Sequence, residues 1–171
     1  QMSAQLVPEQ PEPYVRAAKA QQALAAAAAK EEKKDEAAGF LQQALETLAE
    51  GRRRDDRYGS NWVFTITLLL AEGRRADAEK VLTDAVAAAA GAQDAALQDA
   101  LLEAARLLKN RDVMERAAMA GVRLRPNRAD RHLVLGQVLE ARREPDWAGA
   151  VGEYEAAANL EPENERVLAA L

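Results

Sequence analysis

Residues 132–162 read HLVLGQVLEARREPDWAGAVGEYEAAANLEP. His132, Leu135, Gly136 and Leu139 fall at i, i+3, i+4 and i+7, the spacing of one helix face. Arg143–Asp146 interrupts the pattern with a proline. A second helical pattern follows, with Ala150, Tyr154 and Ala157 in phase, and Pro162 stops it. Gly136, Ala150 and Ala157 are small enough to let two antiparallel helices touch. Leu135 and Tyr154 are large enough to fill space beside them. The stretch therefore encodes a helical hairpin.

The pattern recurs upstream. Aligned on the small residue early in each second helix, the positions are Ala37, Ala78, Met114 and Ala150, spaced 41, 36 and 36 residues apart. The second unit carries Trp62, Ile66, Leu69, Gly73, Ala78, Leu82 and Ala85. The third keeps Leu101, Leu102, Gly121 and Pro126, with Met114 in place of the alanine. The first is the plainest: Leu24, Ala25, Ala28, Ala37, Leu41 and Ala44. A hairpin cannot bury its own apolar face, so repeated hairpins stack on one another.

These units resemble the tetratricopeptide repeat, whose period is about 34 residues and whose pattern runs W-x2-L-G-x2-Y, A-x3-F, P. Residues 132–162 depart from it at His132, at Leu139 and by two extra residues in the turn. The excess elsewhere falls in loops, where insertion costs little. The resemblance implies an all-α fold: an α-α superhelix (solenoid) of about four antiparallel helix pairs plus the start of a further helix. It also implies a concave surface lined by the first helix of each pair, and a role in binding other proteins.

Composition agrees. Of 171 residues, 49% are hydrophobic but only 4% aromatic, and alanine supplies much of the apolar share. Alanine has the highest helix propensity. The chain has no cysteine, which excludes disulfides, thiolate metal sites and thiol catalysis. Its net charge of −5 argues against general nucleic-acid binding. No stretch has the roughly 20 apolar residues that span a bilayer. The first residues lack the basic and apolar run of a signal peptide. A cytoplasmic protein is expected, or a periplasmic one if an upstream signal or anchor was removed.

Along the chain, residues 1–13 with three prolines read as an extended arm, and Pro13 suits a first helical position. Residues 14–171 read as a single solenoid, with repeats near 14–50, 60–91, 94–126 and 129–162. Residues 163–171 begin a capping or further helix. Within the first repeat, Lys30–Lys34 is either the turn of a hairpin capped by Asp35 or part of one long helix. Gly51 is expected to stop that repeat, and residues 51–60 to form a charged loop ending in a cap at Ser60 or Asn61.

No phosphate loop, dinucleotide fingerprint, zinc-protease motif or EF-hand is present. No metal or cofactor site is expected. His132, the one histidine, sits at a packing position and has no evident nucleophile to serve. Arginines cluster in turns at Arg52–Arg54, Arg74-Arg75, Arg123–Arg131 and Arg142-Arg143. Solvated turns beside acidic neighbours account for them more simply than phosphate binding. Trp62 and Trp147 fall at places that face the repeat core in the resembled family, so packing is expected of both.

By the same resemblance, the concave face carries Lys19, Gln22, Ala26 and Ala29, then Ser60, Val63, Thr67 and Leu70. It continues with Ala96, Asp99, Glu103 and Arg106, and with Asp130, Leu133, Gln137 and Glu140. The candidate partner groove is Val63, Thr67, Leu70, Asp99, Glu103, Arg106, Asp130, Leu133, Gln137 and Glu140. Without asparagine and with only two basic residues in the full set, it does not suit the carboxylate clamp of some family members. Apolar at Val63, Leu70 and Leu133 and acidic toward the C-terminal half, it suits a helix or extended segment with apolar anchors and some positive charge. The expected role is a non-catalytic scaffold or adaptor. A dedicated chaperone for an exported protein, or an appendage domain of a larger envelope or secretion protein, are the alternatives. The exposed ends of an uncapped array also suit self-association.

Overall fold

The computed structural model describes residues 12–170, which are helical throughout apart from short turns. The helices are α1 (Glu12–Lys30), α2 (Lys34–Arg54), α3 (Gly59–Ala71), α4 (Arg75–Ala88), α5 (Ala95–Leu108), α6 (Arg111–Leu124), α7 (Ala129–Glu140), α8 (Trp147–Leu160) and the short α9 (Glu165–Leu168). The chain divides into two compact units, Gln1–Val81 and Leu82–Leu171, with the boundary inside α4. Of the arm expected at 1–13, residues 1–11 lie outside the described residues, and Glu12 and Pro13 belong to α1.

In the first unit, α1 and α2 form a hairpin and α3 packs against both. Val15 and Ala18 of α1, Ala44 and Leu48 of α2 and Leu68 of α3 make one buried cluster, flanked by Leu41, Leu45, Tyr58 and Phe64. The alternative of one long helix is thereby settled. The turn has no glycine. Glu32 takes φ 62°, and its neighbours close a Schellman motif: the Glu32 N–H donates to the Ala29 carbonyl (3.2 Å) and the Lys33 N–H to that of Ala28 (2.9 Å). The expected Asp35 cap is not used. Helix α2 begins two residues earlier than that cap would place it, with Lys33 in the cap place and no side-chain cap bond.

Gly51 does not stop α2. It is buried three residues before the helix ends. A Cβ there would lie 2.7 Å from the Asn61 amide nitrogen and 2.8 Å from Tyr14 Cβ. The glycine serves close approach of α1 and α3, not termination. The loop is consequently shorter than expected, running from Asp55 to Tyr58. Asn61 is fully buried inside α3 and does not cap it. Trp62 packs as expected: it is buried, its Nε1–H donates to the Asp56 carbonyl at 2.6 Å, and the Arg52 guanidinium lies 5.1 Å from its ring.

In the second unit, α5–α6 and α7–α8 are hairpins, α6 packs against α7, and α9 packs on α8. Side-chain caps start four of these helices. Asp94 accepts from the Ala96 and Leu97 N–H groups, Asn110 from Val113, Asp146 from Gly149 and Asn164 from Arg166. Alanines 104, 105, 117, 118, 120, 150 and 157 are buried, with Leu97, Leu101, Leu108, Leu135 and Tyr154 between them. Gly136 sits where Tyr154 crosses α7. Val167 of α9 is fully buried with Ala129 and Ala157, so the last described turn seals the α7–α8 pair.

Candidate interaction surface

The candidate groove residues lie on α3, α5 and α7, and none is buried. Their i, i+3, i+4 spacing keeps each set on one helix face. In the first unit, Val63 and Leu70 are half-buried and Thr67 is exposed, its hydroxyl donating back to the Val63 carbonyl at 2.9 Å.

In the second unit, a hollow of about 720 Å³ brings together Arg106 of α5 with Asp130, Leu133, Gln137 and Glu140 of α7. Asp99 and Glu103 lie outside it. The sequence reading missed the rest of its wall: Val134, Tyr154, and Arg166, Ala169 and Ala170 from the last described turn. The family pattern assigned Tyr154 only to packing, and it ends before Arg166.

Most of the acids expected to greet a basic partner are already engaged. Asp99 is paired with Arg131 and, at 3.5 Å, with Arg125. Asp130 meets Arg128 at 2.9 Å and Arg131 at 3.4 Å. Burial opposes ionisation of Asp130, but the Arg128 hydrogen bond and the Arg131 and Arg128 charges outweigh it, so its carboxyl stays below its ordinary pKa. Glu140 accepts from the Tyr154 hydroxyl at 2.8 Å. Burial, helped by that bond and by the Glu140 charge, pushes the Tyr154 phenol up to about 12.

Turn arginines mostly meet acids, as the simpler reading expects. Arg53 and Arg54 share Glu50, Arg74 meets Asp77, and Arg75 meets Glu79. Arg142 grips Glu115 with two bonds, of 2.6 and 2.9 Å, and so ties the α7–α8 turn to α6. His132 is a packing residue in fact. Its Nδ1 lies 2.7 Å from a Glu153 oxygen and its Nε2 2.8 Å from the Pro126 carbonyl, with the side chain 12% exposed.

Trp147 departs from expectation. It is 60% exposed, at the first position of α8 directly after the Asp146 cap. The aromatic place of this unit is taken by His132, and Trp147 instead opens the second helix of the pair. Val151, one turn on, is 49% exposed and extends an apolar strip. Among the described residues no cluster of three or more His, Cys, Asp or Glu could hold a metal, and no helix is long and apolar enough to cross a membrane.

No family model matches the sequence, and no curated protein matches it. Solved structures do match. One, described as "MamA RS-1 ArsTM double mutant", is 17% identical, with a TM-score of 0.51 over 86% of this chain and 96% of that one. MamA is a tetratricopeptide-like protein. At that identity the likeness speaks for fold alone. The chain is an all-α protein built of tetratricopeptide-like helix pairs.

Proposed function

We propose that the chain is a non-catalytic protein-interaction module that takes a segment of a partner protein on the α5–α7 face of its second unit. One observation carries this reading. The hollow of about 720 Å³ in the second unit is lined by five candidate groove residues contributed by α5 and α7. Its wall mixes the aliphatic Leu133, Val134, Ala169 and Ala170 with polar groups, the mixture that holds a peptide by apolar anchors and fixes it by hydrogen bonds. The tetratricopeptide-like fold supports the same reading by analogy. A wholly basic partner has less support than the sequence suggests, because Asp99 and Asp130 spend their charge on Arg125, Arg128 and Arg131.

The test is affinity purification from the source cells with the full chain as bait, in parallel with Leu133→Glu and Gln137→Glu. Both side chains reach the hollow and neither is in the buried core. A partner retained by the wild type and lost from both variants, with unchanged circular dichroism, is the expected result. Retention by both variants refutes the site. Absence of any specific partner refutes the reading.

A further inference from the structure

A second hollow opens in the same unit, at the turn between α5 and α6. Its floor is aliphatic: Met114, Val138 and Ala141. Met114 stands where the other pairs place a buried alanine, and it is half-exposed. The rim is cationic. Arg106 and Lys109 come from the end of α5, and Arg111 opens α6. All three are exposed, and none has a side-chain partner among the described residues. Arg142 also reaches the hollow with Glu115, but those two neutralise each other through their two bonds. Of the other acids of α5 and α6, Asp99 and Glu103 do not line this hollow, and Asp112 lines a different one with Leu82 and Asn110. A chain of net charge −5 thus gathers three unspent positive charges around one apolar depression.

The backbone adds a further sign. Lys109 holds φ 56°, a left-handed conformation, where it closes a Schellman motif: the Asn110 N–H donates to the Ala105 carbonyl at 2.9 Å. The equivalent turn after α3 uses Gly73 at φ 70°. A lysine there gives up stability that glycine would supply, roughly 1 kcal/mol. Folding does not ask for that lysine.

We infer that this hollow docks an acidic segment of a partner protein, with one bulky apolar side chain on Met114, Val138 and Ala141 and flanking carboxylates on Arg106, Lys109 and Arg111. The size fits a side chain better than a cofactor: about 250 Å³, below the roughly 300–1,000 Å³ of small-molecule sites. The lining has no aromatic ring on which a nucleobase would stack. Charge complementarity sets the sign of the partner, and the aliphatic floor sets its anchor. Arg106 lines both hollows, so an acidic segment seated here continues into the larger one. This deepens the interaction-module reading and rests on it.

The experiment is fluorescence anisotropy on the full chain with three fluorescein-labelled peptides: DEELFDEE, DEESSDEE and KKKLFKKK. The first is expected to bind saturably and more weakly as salt rises, the second at least about tenfold more weakly, and the third not at all. Arg106→Gln with Arg111→Gln should weaken the first peptide about tenfold. Lys109→Gly should weaken it while raising thermal stability, so misfolding cannot explain the loss. Unchanged binding in these variants overturns the inference, as does equal binding of DEESSDEE or KKKLFKKK, or displacement by single-stranded RNA. If the peptides fail while a cellular partner is still lost from Leu133→Glu, the acidic-segment site falls and the interaction module stands. If no partner is found at all, the module reading itself falls.

Discussion

Gly136→Ala is expected to destabilise the second unit, although alanine is the better helix former. In an open helix the exchange gains roughly 1 kcal/mol. At position 136 the new Cβ would meet three ring atoms of Tyr154, all within 2.9 Å. Carbon atoms prefer about 3.5–4.0 Å. The ring cannot easily withdraw. It is 5% exposed, and its hydroxyl is anchored to Glu140 at 2.8 Å. Relief requires either separating α7 from α8 or swinging the ring and giving up a charge-assisted bond worth about 1.5–3 kcal/mol. Overpacking of this kind costs about 1–3 kcal/mol. Subtracting the propensity gain from the middle of that range leaves a net loss of about 1 kcal/mol, or about 2–4 °C in Tm for a chain this long. Urea and thermal melts followed by circular dichroism measure it. The control is Gly152→Ala on α8, where an added Cβ meets nothing within 4 Å, so stability should rise by up to about 1 kcal/mol. The sharper check is the Tyr154→Ala background, in which Gly136→Ala should change sign and become stabilising. A Gly136→Ala chain as stable as wild type, or a loss that persists without Tyr154, refutes the reasoning.

Two more expectations follow from single observations. The Tyr154 phenol, raised to about 12 from 10 by burial and by Glu140, contributes stability that is fully present below pH 10 and is lost as pH climbs toward 12, because the unfolded chain ionises first. The advantage of wild type over Tyr154→Phe should therefore shrink by about 2 kcal/mol across that window, and urea titrations at pH 8 and pH 11 that give the same difference would exclude it. Glu32→Gly should raise stability by about 1 kcal/mol, because the residue already sits at φ 62° in the α1–α2 turn; a fall in Tm would show that the glutamate side chain contributes more than its backbone strain removes.

What could be read from residues alone was whatever a periodic pattern or a glycine or proline stop announces. The α3–α4 turn at Gly73 and the stop at Pro162 are such signals, and helix boundaries fall close to them. The misreadings share a cause: a residue type that serves two physical ends. Gly51 offers conformational freedom and also the absence of a side chain, and only the position of Tyr14 and Asn61 shows that the second is used. Asn61 is a common cap but here is buried one turn too late to act as one. Glu32 and Lys109 turn the chain without glycine, so neither the α1–α2 turn nor the α5–α6 turn left a glycine signature. The candidate surface was legible to the same degree. Helical spacing places Arg106, Leu133, Gln137 and Glu140 on accessible faces, and the fold gathers them in one hollow. Their charge state was not legible, because Asp99 and Asp130 are neutralised by arginines of the α6–α7 turn and of the first turn of α7, whose paths only the structure gives. The same omission hid the cationic hollow. Counting charges along α5 and α6 gives a near balance. Pairing them in space consumes Glu115 on Arg142 and, among the charges that line the hollow, leaves Arg106, Lys109 and Arg111. A partner that reads this surface reads the unspent remainder, and that remainder is positive beside an aliphatic floor.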